Sequence, residues 1–199
     1  MGQDQPFEPI DPKSVESYEP GEAPRTWTPG DFLLTHGDAW SSKIIRFGQG
    51  LRIHGDDRVY THWNHAALVV SARGDIVEAL GKGVIRGKAS RYKEKEYQVV
   101  GIDSPKNSKD RQQAVEFGKW AAEGKQRYGF VTIASIALTL LTGAKFSFFV
   151  DGQQICSGLV ARSMERTGAI FNREPIHIMP ADLAKYYGVR PPAPPAPSG

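Results

Sequence analysis

Cys156 is the only cysteine in the chain, and it stands in Gln154-Ile155-Cys156-Ser157-Gly158-Leu159-Val160. The pattern there predicts that an extended segment turns into a helix. Ahead of it, Phe146, Phe148 and Val150 alternate at strand spacing and Asp151-Gly152 supplies turn chemistry. After it, Leu159, Val160, Ser163 and Met164 recur at helical spacing, and Gly168 stands where a helix would stop. A thiol in the first turn of a helix lies at the positive end of the dipole, which favours the thiolate. The N–H groups of that turn have no carbonyl within the helix and suit a developing oxyanion. Such a thiol is placed for nucleophilic attack. The ordinary alternative is a small buried hydrophobe, as most free cysteines are. A base nearby decides between the two.

Five histidines are available: His36, His54, His62, His65 and His177. His65 opens the most apolar strand of the sequence, His65-Ala66-Ala67-Leu68-Val69-Val70, and Glu78 interrupts Ile76-Val77-Glu78-Ala79-Leu80. A carboxylate in a buried strand needs a partner, because a lone buried charge is costly. A hairpin centred on Arg73-Gly74 sets Glu78 opposite Val69, which shares a face with His65. In a flat ladder that leaves Glu78 about 13 Å from His65, so direct contact requires a longer turn, a bulge or strong coiling. Thiol, imidazole and carboxylate together would follow the logic of nucleophilic catalysis. A zinc site built from His54, His62, His65 and Cys156 is the competing chemistry. Residues three apart on a strand face opposite ways, which argues against convergence of His62 and His65. No metal or cofactor is expected.

These residues need elements to position them. Residues 1–28 read as an extended polar arm with too few apolar residues to pack, 29–190 as one domain, and 191–199 as a proline-rich tail. Within the domain, strands are expected over 31–35, 63–71, 75–80, 84–85 and 97–102, with a short helix over 41–47 and a Gly-rich loop over 48–57. A long helix is expected from Asp103-Ser104-Pro105 to about Glu123, with Ala114, Val115, Phe117, Trp120 and Ala121 facing inward. Phe130 to Leu141 reads as a buried helix, Ile176-His177-Ile178 as a short strand, and Pro180 to Tyr187 as a last helix closed by Gly188.

The 199 residues suffice for one packed domain, with 40% hydrophobic and 24% charged residues. A single cysteine excludes an intramolecular disulfide. The polar, proline-bearing start predicts no signal peptide, and Phe130 to Leu141 is too short for a bilayer span. A cytoplasmic or virion-associated location is therefore expected. Net charge is +3, too modest to predict nucleic-acid binding, and acids predominate in residues 1–25. The densest basic run, Lys82, Arg86, Lys88, Arg91, Lys93 and Lys95, reads as a solvated face rather than an anion-binding surface.

Taken together, Gly30-Asp31-Phe32-Leu33-Leu34, Asn64-His65-Ala66-Ala67-Leu68-Val69, Glu78, Tyr128-Gly129-Phe130 and Cys156-Ser157-Gly158-Leu159-Val160 resemble the circularly permuted NlpC/P60 hydrolases. The nearest branch is the permuted papain-like amidases of the YiiX/YaeF type. The resemblance runs from about Pro29 to Gly188, with the histidine ahead of the cysteine. It implies an α+β, papain-like domain in which the Cys156 helix packs on an antiparallel, barrel-like sheet. It also implies Cys156 as nucleophile, His65 as base and Glu78 as the third polar group. Tyr128, Trp63 and Ser157 become candidate substrate contacts; Trp63 resembles the aromatic ahead of the histidine in lecithin:retinol acyltransferase-like enzymes. The substrate class implied is an amide, such as a peptide or bacterial cell-wall peptide, with a lipid acyl ester as the alternative. A non-catalytic scaffold, attached to a protein partner through the arm or the tail, is the reading from outside enzymology.

Overall fold

The computed structural model of the chain describes residues 14–36, 49–50, 52–80, 83–102, 108–124 and 156–192. Six strands form one sheet: β1 (Ser14–Tyr18), β2 (Phe32–Thr35), β3 (His65–Val69), β4 (Asp75–Leu80), β5 (Gly83–Lys88) and β6 (Tyr97–Gly101). Their order is β1-β6-β2-β3-β4-β5 and every neighbouring pair is antiparallel. Among the described residues the α-helices include α1 (Lys109–Glu123), α2 (Cys156–Met164) and α3 (Pro180–Tyr186). The α+β class holds. The barrel does not: the row is open, with β1 and β5 as unjoined edges. Both faces of the sheet are covered by other elements, so no lumen requires closure.

Alternation along the strands sorts the core into two layers. Phe32, Leu34, Ala66, Leu68, Val77, Ala79 and Val100 face α1, α2 and α3, whereas Leu33, Ala67, Val69, Ile76 and Val99 face the other way. That second face is covered by residues expected to form a loose arm. From Ser14 onward the expectation is wrong. β1 pairs with β6 from Ser14↔Gly101 to Tyr18↔Tyr97. Tyr18 and Trp27 both stack against Tyr97, with ring centroids 5.2 and 6.3 Å apart. The segment has few apolar residues because a backbone ladder holds it, and composition does not record a ladder.

α1 begins at Lys109, capped by Ser108, whose Oγ accepts from the Arg111 N–H at 3.2 Å. Its buried stripe is Arg111, Ala114, Val115, Gly118 and Ala121, and Trp120 is 59% exposed instead of inward. Close approach selects the small residues: a Cβ at Gly118 would stand 2.5 Å from Leu68 Cδ2. Arg111 is buried because it pairs with Asp31 at 2.6 Å and donates to the carbonyls of Pro29 and Ile102 at 3.0 and 2.9 Å. Two further expectations are corrected. The end of the Gly-rich loop forms a 3-10 helix, Gly55–His62, which delays β3 to His65. The expected strand at 176–178 gives way to a 3-10 turn, Pro175–His177, whose first residue is pre-set for a helical turn. α3 starts as expected, with the Met179 N–H donating to Asp182 Oδ2 at 2.8 Å, and Gly188 follows at φ 65°. The expected helix at 41–47, Tyr128, the apolar stretch 130–141, the strand leading to Cys156 and the tail from 193 lie outside the described residues.

Candidate active site

The β3–β4 hairpin decides whether histidine and carboxylate meet. Val70 N–H donates to the Asp75 carbonyl at 2.8 Å, so the loop is Ser71–Gly74 and not a two-residue turn at Arg73-Gly74. Ser71 Oγ accepts from the N–H groups of Arg73 and Asp75 and stabilises the longer loop. Gly74 closes it at φ 74°, where a Cβ would stand 2.7 Å from Trp27 Nε1. The pairing is consequently Leu68↔Val77 and Val69↔Ile76, which carries Glu78 to the level of Ala67. Parity was read correctly from the sequence, but the register differs by two residues. Glu78 becomes the diagonal neighbour of His65, a relationship long side chains span. His65 Nε2 and Glu78 Oε2 are 2.8 Å apart.

The ladder between β3 and β4 ends at Leu68↔Val77. Hydrogen-bonded positions recur at every second residue, so Ala66 would be the next on β3 to bond β4. Its N–H is directed instead at the Cys156 sulfur. Ala66 belongs to the helix-facing layer and Ala67 to the other, so His65 and Glu78 lie on the face away from α2. The thiol therefore approaches from one face of the sheet and the imidazole from the other, and they meet where the two strands part. Cys156 lies on α2, and its sulfur interacts electrostatically with the His65 imidazole and with the N–H of Ser157.

The electrostatics follow from this packing. Burial disfavours a charged His65, but the Cys156 sulfur and then Glu78 more than offset it and push the imidazole up to about 9. Burial would likewise raise the Cys156 thiol, yet the adjacent imidazolium and the N–H groups of Ala66 and Ser157 hold it below its ordinary value. Burial opposes ionisation of Glu78 too, and hydrogen bonds from His65, Tyr92 and Arg91 overcome that and lower it. Charge is thus favoured on all three groups. The arrangement suits a thiolate–imidazolium pair backed by a carboxylate.

Trp63 and Ser157 sit elsewhere than expected. The Trp63 indole is fully buried and donates to the Val189 carbonyl at 3.1 Å. The Ser157 hydroxyl is buried and donates to the Ile178 carbonyl at 2.6 Å, tying α2 to the segment before α3. Both side chains serve the frame of the site; neither is presented to a substrate. His62 and His65, the core of the competing zinc reading, bond different carboxylates: His62 Nε2 lies 2.9 Å from Glu96 Oε1. Among the described residues no group of three His, Cys, Asp or Glu side chains is placed to hold a metal ion.

Two residues of the site were missed. Arg91 NH1 donates to Glu78 Oε1 at 2.5 Å, and the Tyr92 hydroxyl donates to Glu78 Oε2. Arg91 lay inside the basic run read as a solvated face. Elsewhere the run does face solvent: the exposed Arg86 pairs with Glu123 and the exposed Lys88 with Asp75. The signal was available in principle, since a buried carboxylate with one histidine still needs a partner for its second oxygen. No helix among the described residues is long and apolar enough to cross a membrane. No family model matches the chain, and no curated protein matches its sequence.

Proposed function

We propose that the protein is a cysteine hydrolase that cleaves an amide bond through an acyl-cysteine intermediate. The observation that carries the reading is the continuous chain of contacts from Cys156 to His65 to Glu78, with each group's charged form favoured. The order of the motifs, similar to the permuted NlpC/P60 hydrolases and their papain-like fold, supports it independently. The Cys156 thiolate attacks the carbonyl carbon, and electrons move onto the carbonyl oxygen. His65 passes its proton to the leaving nitrogen as the C–N bond breaks, which leaves a thioester. Neutral His65 then takes a proton from water, whose oxygen attacks the thioester and releases the acid and the thiolate. Glu78 stabilises the imidazolium and fixes its orientation.

Access to the sulfur is the sharpest test, because Cys156 is only 4% exposed. Iodoacetamide at pH 6 to 7 should label Cys156 in the folded protein, and His65→Ala should slow that labelling. Incubation with p-nitrophenyl acetate should leave an acetyl group on Cys156, identified by mass spectrometry and absent from Cys156→Ala. A panel of peptide amides, bacterial cell-wall peptides and phospholipid vesicles then assigns the substrate class. Turnover of the vesicles alone moves the protein to the lipid acyl branch. A folded protein that neither alkylates nor acylates at Cys156 is a scaffold.

A further inference from the structure

Glu78 is wholly buried in the sheet, where a carboxylate must be matched on both oxygens. His65 accounts for part of one oxygen. The rest is supplied from a single place, the 3-10 turn Ala89–Tyr92 that follows β5. β5 pairs with β4 along its whole length, with Glu78↔Ile85 and Ile76↔Gly87 in register, so the turn emerges beside the carboxylate. Arg91 reaches Oε1 and Tyr92 reaches Oε2, the oxygen that His65 also uses. The Tyr92 ring lies 5.7 Å from the imidazole. Gly87 is an independent sign that the strand is shaped around this cluster. A Cβ there would stand 3.1 Å from Glu78 Oε1 and 3.4 Å from Arg91 NH1. Glycine inside a strand weakens it, and it recurs where another group must approach closely.

Building on the triad reading above, we propose that Arg91 and Tyr92 are positioning residues that hold Glu78 charged and aimed at His65, in a space that Gly87 keeps open. Thiolate, imidazolium, carboxylate and guanidinium then alternate in sign and cancel. Among the described residues, Cys156, His65, Glu78, Arg91 and Tyr92 are the titratable or charged groups acting on one another here. Removing the Arg91 charge leaves the set with a net negative charge, and a buried negative site takes up a proton. Whether Glu78 or Cys156 receives it, the thiolate becomes scarcer at a given pH.

The test is the rate of Cys156 alkylation by iodoacetamide from pH 4 to 9 on the full chain, which requires no substrate. Arg91→Met should raise the midpoint of thiolate formation by about 1 pH unit. That is the low end of the effect of a neighbouring charge, because the guanidinium is 44% exposed and partly screened. At a pH below both midpoints, alkylation should then be about tenfold slower. Arg91→Lys should stay close to wild type, and Tyr92→Phe should raise the midpoint by less than Arg91→Met. Gly87→Ala, which crowds the pair without removing a charge, should raise it too. In a Glu78→Gln background, Arg91→Met should add nothing. A merely structural role would lower the melting temperature and leave the midpoint in place. The proposal is overturned if Arg91→Met and Gly87→Ala both superimpose on wild type, or if the Arg91→Met shift survives in Glu78→Gln. The hydrolase reading fails differently: Cys156 shows thiolate reactivity yet accepts no acyl group.

Discussion

Glu78→Gln tests the link between the hairpin register and the chemistry, because it keeps the side chain's shape and removes its charge. In the native site one oxygen accepts from His65 and Tyr92 and the other from Arg91, so both ends of the carboxylate face donors. An amide has one accepting end. If its oxygen faces His65, its NH2 group meets the Arg91 guanidinium; if it is flipped, the NH2 group meets His65 and Tyr92. Flipped, the donors of His65 and Tyr92 lose their acceptor at a cost of about 1–3 kcal/mol, and unflipped the loss falls on the half-exposed Arg91 and costs less. His65 loses the carboxylate that helps to hold its proton to about 9, while the opposing effect of burial remains. A neighbouring opposite charge is worth about 1–3 pH units, so the imidazolium should deprotonate at roughly pH 6 to 8. The measurement is the titration of the His65 ring by NMR, assigned by the signal missing in His65→Asn. Activity on any substrate that wild type turns over should fall about 10- to 1000-fold, the scale of acid–base support. If His65 still titrates near 9 in Glu78→Gln, the carboxylate does not hold its proton and the role given to Glu78 is wrong.

Deleting residues 1–28 removes β1 and uncovers Tyr97 and Val99, which are almost fully buried. At about 1.5–3 kcal/mol for each large apolar side chain, plus the lost ladder, the melting temperature should fall by about 10 °C; a shift within error would show that the segment is not structural. Gly118→Ala should destabilise in urea, because overpacking against the buried Leu68 costs about 1–3 kcal/mol and outweighs the gain in helix propensity, about 1 kcal/mol. A more stable variant would contradict the close approach of α1 to the sheet. In the fold, Glu78 loses its proton below the 4.5 of a free carboxyl. Its contribution to stability is therefore complete above about 4.5 and is lost as the pH falls through the folded value. Stability measured from pH 7 to 3 should accordingly fall less steeply in Glu78→Gln than in wild type.

The sequence by itself determined the elements whose signal is local. The helical run that carries Cys156 on to Met164, the span of β4 from Asp75 to Leu80, and the cap and stop of α3 follow from periodicity, Pro and Gly within a few residues of each position. It also determined that Glu78 needs a partner and that His65 shares its face, because strand parity and the cost of a buried charge are local facts. The tertiary structure decided everything that depends on which strands lie side by side. The hairpin register turned on the length of the Ser71–Gly74 loop, and a two-residue slip preserves parity while halving the offset between Glu78 and His65. The inward face of α1 was set by how closely it approaches Leu68, which favours Gly118 over the more hydrophobic Trp120. Arg91 and Tyr92 reach Glu78 only because β5 folds back on β4, and β1 is structural only because β6 offers it an edge. Hydrophobic pattern reports which face of an element is buried; it carries no information about the distance between elements, and the site is made of such distances.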